Sequence, residues 1–307
     1  MNMKQYDLEA GRFSYIEEKG TVRITSYQGS QPQVTVPEKI EDFPVTEIGK
    51  KTFLGRKELK KVTVPKFVTF IEDWAFANCN QLEEVVLENE NINFGKGVFQ
   101  GCKSLQKMII LKENTCFSKE EEEQIGALLA ATVNVLDTPH LFNPVLAGEQ
   151  EWLTQWDARM LNFIRKDDHS GFTVVVLCGE EDYGSEENSL SYFLKQKRKA
   201  KVRLAFLRLR NPMGITKETR EELVSYLKEH TKGCETEEAW EVVLEEHGNE
   251  KSYYEILMEC DCITNENFDG FLADLKDNYP EMKAFLMKYK EERLGYGDFF
   301  GSLSLEL

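Results

Sequence analysis

Residues 53–110 read FLGRKELKKVTVPKFVTFIEDWAFANCNQLEEVVLENENINFGKGVFQGCKSLQKMII and repeat themselves at one fixed step. Phe53, Phe76 and Phe99 form one column and set that step; Leu59, Leu82 and Leu105 form a second. Val62, Val85 and Met108, then Val64, Leu87 and Ile110, keep the same step, as do Ile48, Ile71 and Phe94. A period this short leaves room for one strand and one return stretch per unit, stacked as a solenoid. The alternation Val62-x-Val64 puts both valines on one face of a strand. A lone strand cannot bury that face. A neighbouring rung about 4.8 Å away buries it and makes a parallel ladder. The phenylalanine column then fills the interior from the opposite wall.

The phrases LKKVTVPKFVTFIEDWAFANC and LEEVVLENENINFGKGVFQGC resemble the BspA-like (treponemal-type) leucine-rich repeat family. The shared pattern is an apolar strand, a proline, then Val-x-x-Ile-x-x-x-Ala-Phe-x-x-Cys. Residues 27–52 resemble the first unit of such arrays, with an insertion. The stretch from Val36 to Ile48 is much longer than its counterpart from Val64 to Ile71. The resemblance covers about residues 22–112. The second full unit departs from it, with Glu88 in the proline position.

Upstream, residues 12–16 and 21–27 alternate like strands around Gly20, predicting a hairpin that covers the open first rung, as solenoid ends require. Rungs are expected at Val34–Val36, Val62–Val64, Val85–Leu87 and Met108–Ile110. Downstream the pattern changes to helix. Ser118 caps an acidic first turn. Trp152, Trp156, Met160 and Phe163 keep helical spacing. GFTVVVLCG at 171–179 suits a buried strand or a short buried helix, and its neighbours favour the helix. A long helix fills 189–210, ended by Asn211-Pro212 and Gly214. ITKETREELVSYLKE from Ile215 is echoed by ITNENFDGFLADLKD from Ile263, with Thr216 and Thr264 as helix caps. Each is followed by a second helical run, which suggests tandem helical hairpins. The expected fold class is therefore α+β. A short solenoid with a hairpin cap occupies residues 1–115, and an all-α domain occupies 116–307.

Charge divides the same way. Residues 1–115 balance 16 basic against 16 acidic side chains, so the remainder carries the entire net charge of −16. An acidic domain repels nucleic acid and anionic lipid. No run of 18 apolar residues exists, so no membrane span is expected, and the N-terminus shows no apolar signal region. These features suggest a cytoplasmic protein, with the cell surface as the alternative. Seven scattered cysteines fit reduced thiols.

Between the core positions of each strand lie side chains facing outward on the concave side. Thr63, Val86 and Ile109 form one column and Lys61, Glu84 and Lys107 the next. In one reading the apolar column is a binding stripe and the charges set register with a ligand. In the other the charges pair along the ladder and the apolar column packs on the helical domain. The resemblance implies protein binding through this face. Cys79 and Cys102 read as small buried side chains, and Cys260-x-Cys262 lacks the spacing of a zinc clasp. The run KQKRKAKVR reads as a solvated face or a partner of the acidic loop EEDYGSEEN, which lacks the order of a calcium loop. The histidines, His140, His169, His230 and His247, sit apart, the last two near helix C-termini. No nucleophile, phosphate-loop or metalloprotease motif is present. The expectation is a non-catalytic bacterial module that binds another protein through the concave face or the groove beside the helical domain. It needs no cofactor or metal. A hidden enzymatic or toxin-like activity, supported by a pocket around Cys178, Glu180, Glu181 and Asp182, and a surface adhesin are the alternatives.

Overall fold

The computed structural model describes residues 3–112, 115–136, 138–172 and 189–294. All but Gly171 and Phe172 of the 171–179 stretch, the acidic loop 180–188 and the tail 295–307 lie outside them, and so do Cys178, Glu180, Glu181 and Asp182. The chain divides into two compact units, Met1–Met160 with Asn211–Gly214, and Leu161–Arg210 with Ile215–Leu307.

The first unit is a parallel-strand solenoid of about four turns. Strands β4 (Gln33–Thr35), β7 (Lys61–Val64), β9 (Glu84–Leu87) and β11 (Lys107–Ile110) form one ladder in the order β11-β9-β7-β4. Its register is the sequence period: Lys61 faces Glu84 and Glu84 faces Lys107, while Val62 faces Val85 and Val85 faces Met108. Strands β6 (Phe43–Ile48), β8 (Phe70–Ile71) and β10 (Asn93–Phe94) form the second wall, where Ile48, Ile71 and Phe94 pair in the same way. The insertion in the first unit folds back as β5 (Lys39–Ile40), antiparallel to β6.

Between the walls the phenylalanine rings stack. Phe53 and Phe76 lie 4.8 Å apart, Phe76 and Phe99 5.4 Å, both pairs nearly parallel. The N-terminal segment joins this stack. Strands β2 (Gly11–Glu18) and β3 (Thr21–Gln28) form the expected hairpin around a turn with left-handed Lys19 and Gly20, and β1 (Lys4–Leu8) adds a third strand. Its Tyr27 ring stacks 5.0 Å from Phe53, and Phe13 sits 5.0 Å from Tyr27. The hairpin covers only part of the first rung. β3 runs parallel beside β6, whereas β4 has no strand on its outer side among the described residues. The aromatic contacts draw the hairpin to the second wall.

At the far end, helix α1 (Lys119–Asn134) closes the β11 edge. It starts with the cap expected at Ser118, here a full capping box: the Ser118 hydroxyl accepts from Glu121 N–H while Glu121 accepts from Ser118 N–H. Gly126 lets the helix touch the Met108 carbonyl, where a Cβ would overlap it. Asn134 donates its amide to the Leu105 carbonyl. Helix α2 (Gln150–Arg165) buries Trp152, Trp156 and Met160; the two indoles donate to the carbonyls of Leu141 and Leu128.

The second unit is helical: α3 (Leu190–Arg210), α4 (Lys217–Glu229), α5 (Glu238–Glu246), α6 (Lys251–Glu259), α7 (Phe268–Leu275) and α8 (Pro280–Tyr289). Its core gathers Phe206, Trp240, Tyr254 and Phe271. Two expectations need correction. Helix α6 stands between the pairs that the echo of Ile215 at Ile263 suggested. Thr216 caps α4, but Thr264 does not cap α7. There Asn267 accepts from Thr264 N–H and donates to the carbonyls of Cys262 and Lys232, holding 264–267 as a turn and delaying the helix to Phe268.

Candidate interaction surface

Strand register places the six outward residues without further assumption. Thr63, Val86 and Ile109 stand side by side on β7, β9 and β11, each half-buried. Beneath them Val62, Val85 and Met108 are fully enclosed, which fixes the backbone that carries the column. The charged column is engaged internally. Lys61 Nζ lies 2.7 Å from Glu84 Oε1, and Lys107 Nζ lies 3.3 Å from Glu123 of α1. Lys60 and Glu83 repeat the first pairing one residue earlier at 3.4 Å. The ladder face is thus a half-exposed apolar column flanked by charges that already have partners. Such a face offers shape and apolar area more than net charge.

Cys79 and Cys102 are buried, and each thiol donates to a phenylalanine carbonyl one rung earlier, 3.1 Å to Phe53 and 3.2 Å to Phe76. The neighbouring Cys79 thiol, together with burial, pushes the Cys102 thiol well above its usual range. Cys260 and Cys262 are buried as well; burial pushes Cys260 up to about 11. Among the described residues no three His, Cys, Asp or Glu side chains are placed to hold a metal ion. The histidines do not converge. His230 and His247 are the C-cap residues of α4 and α5, the latter stacked 3.7 Å from Tyr253 and bonded to Glu250 at 2.7 Å.

The basic run at 195–203 is absorbed by acidic groups of its own unit. Lys195 meets Glu241 at 2.8 Å, Lys199 meets Glu245 at 2.6 Å and Glu241 at 3.2 Å, and Arg203 grips Glu246 with two nitrogens. Arg198 bridges Asp168 and Glu238, both at 3.0 Å. The sequence offers a solvated face or the 180–188 loop, which lies outside the described residues. Among the described residues α5 and Asp168 supply partners, which helical spacing on α3 cannot reveal because they lie far from it along the chain.

Sequence reading missed a second surface. A cleft of about 1010 Å³ lies between the last rung, residues 91–100, and the connector 142–146. Phe142 stands edge-on to Phe94 at 4.8 Å and to Phe99 at 5.7 Å, outside the repeat period and so without a repeat signal. Val145 and Leu146 beside it are exposed.

The parallel ladder, the second wall and the internal aromatic column define the first unit as a leucine-rich-repeat solenoid. Residues 27–123 match the family model described as the BspA type leucine rich repeat region, in six copies, and this region is of that family. Among solved structures, a leucine-rich cell surface protein from Faecalibacterium prausnitzii is 25% identical, with 35% of this chain and 32% of that chain covered, at a TM-score of 0.30. A leucine-rich repeat protein from Bacteroides capillosus is 28% identical, covering 37% of this chain and 89% of that one, at 0.31. One from Bacteroides ovatus is 23% identical, covering 34% and 29%, at 0.30. The chain therefore spans about a third of the length of the first and third of these proteins. No curated protein matches the sequence. Among the described residues no helix is long and apolar enough to cross a membrane.

Proposed function

We propose that this chain is a non-catalytic protein-interaction module that binds another protein on the outer, concave-side face of its ladder. One observation carries the reading. Thr63, Val86 and Ile109 form an in-register, half-exposed apolar column on a backbone held rigid by a fully buried layer. Binding to a preformed surface loses little conformational entropy, so a small apolar stripe suffices for specific recognition. Lys61, Glu84 and Lys107 border the stripe. Their internal pairing makes them rim residues that fix orientation more than they add affinity.

The test is affinity capture from lysate of the source cell with two baits, wild type and Thr63→Lys/Val86→Lys/Ile109→Lys, both checked by circular dichroism. The reading expects a protein retained by the first and lost by the folded second. Equal capture by both baits refutes it.

A further inference from the structure

The last rung is finished on one side only. In the two rungs before it, three amides of the return stretch donate to carbonyls of the next rung. Lys51, Phe53 and Gly55 N–H donate to Asp73, Ala75 and Ala77 at 2.7–3.2 Å. One rung later Trp74, Phe76 and Asn78 N–H donate to Lys96, Val98 and Gln100 at 2.7–2.9 Å. The equivalent amides of the final rung belong to Gly97, Phe99 and Gly101, and none has an acceptor among the described residues. The Phe94 carbonyl, equivalent to the Ile71 carbonyl that accepts from Gly95 at 2.8 Å, has no donor there either. Helix α1 covers the β11 side of this rung. The β10 side opens instead into the 1010 Å³ cleft, whose opposite wall is the connector. That wall is built: Asn143 Oδ1 accepts from Val145 and Leu146 N–H, and Lys112 donates to the Val145 carbonyl at 3.2 Å.

We propose that the cleft binds an extended segment of another polypeptide, which completes the rung by presenting carbonyls to Gly97, Phe99 and Gly101 N–H and an apolar side chain to Phe94 and Phe142. The register names the chemistry of the occupant. It must offer three carbonyls at alternate positions, as Lys96, Val98 and Gln100 do for the rung below. Main-chain bonding of this kind provides affinity, and the aromatic pocket selects the side chain. A second copy stacked end to end does not fit. The opposite end of this wall is the antiparallel strand β1, which has no return stretch with those carbonyls. The surface is separate from the ladder column of the proposed function and stands without it.

The experiment uses the full chain and, as probe, the acetylated and amidated peptide of residues 92–101, INFGKGVFQG. Hydrogen exchange is read residue by residue. At a peptide concentration about nine times Kd, exchange at Gly97, Phe99 and Gly101 slows about tenfold, and a scrambled peptide has no effect. Val145→Asp/Leu146→Asp, at positions 43% and 46% exposed, weakens peptide binding at least about tenfold while the fold is kept. The triple lysine variant of the ladder face binds the peptide like wild type. Unchanged exchange at the three amides overturns the proposal, as does equal protection by the scrambled peptide. Protection that grows with protein concentration alone also overturns it, by making the occupant a second copy. Should the double aspartate variant unfold, the wild-type exchange pattern still decides.

Discussion

Two positions in every return stretch occupy the left-handed region, and they do so at the repeat period. Lys51, Trp74 and Gly97 have φ of 59°, 54° and 58°; Gly55, Asn78 and Gly101 have 67°, 59° and 76°. Glycine and asparagine tolerate this conformation, whereas other residues pay about 1–2 kcal/mol. A Cβ at Gly101 would also overlap Asn78 Oδ1. Gly101→Val is therefore expected to lose about 2–3 kcal/mol of stability, and Asn78→Gly less than about 0.5 kcal/mol, by urea denaturation. The Gly-Asn-Gly column was readable from the sequence in principle. The Lys-Trp-Gly column was not, because ladder hydrogen bonds to Asp73 and Lys96 impose the conformation on two residues with no preference for it. Glu238 makes a different point. Burial alone would raise its carboxyl; the His230 ring and the Arg198 guanidinium overcome this and hold it down at about 2. Its contribution is fully present above the ordinary carboxylate range and is lost as pH falls from about 4.5 toward 2. Glu238→Gln should flatten that part of the stability–pH curve by about 3 kcal/mol.

At the scale of elements, the fit between α1 and β11 decides whether the ladder ends or stays open to pairing. Gly126 is the point of closest approach, so Gly126→Val is expected to cost about 1–3 kcal/mol and to free the β11 edge. Thermal unfolding and size-exclusion chromatography would show a lower Tm and new self-association. The ion pairs between α3 and α5 are the matching device of the helical unit. Lys199 is almost fully buried between Glu241 and Glu245, and Lys199→Ala leaves Glu245 without its cation and Glu241 with Lys195 alone. The expected loss is about 1–2 kcal/mol by chemical denaturation, because Glu245 stays half exposed to water. The strands, the phenylalanine column and the cap at Ser118 were legible because each leaves a local periodic or positional mark. Helix α6 and the pairing of α3 with α5 left none. The first lacks a capping side chain, since Glu250 before it makes no cap bond, and the second joins segments distant in sequence, as Arg198 and Glu238 are. The candidate stripe was legible as a register, because strand pairing is exact. The cleft was not, because Phe142 reaches the aromatic stack from an aperiodic connector.

Across the whole molecule, residues 1–115 are neutral and the residues after them carry the net charge of −16. Part of that charge is internal structure, held against α3, and the outer ladder face is electrically quiet. This division favours a partner recognised by apolar shape on the ladder, with the acidic residues opposing polyanions. The most direct test is photo-cross-linking from the ladder itself. A benzoylphenylalanine replaces Val86 in one sample and exposed Lys57 in another, and both are irradiated in lysate of the source cell. The account predicts a covalent adduct with one distinct protein from position 86 and none from position 57. Adducts at position 86 that join only residues of the same chain would contradict it, because the column would then be an internal interface.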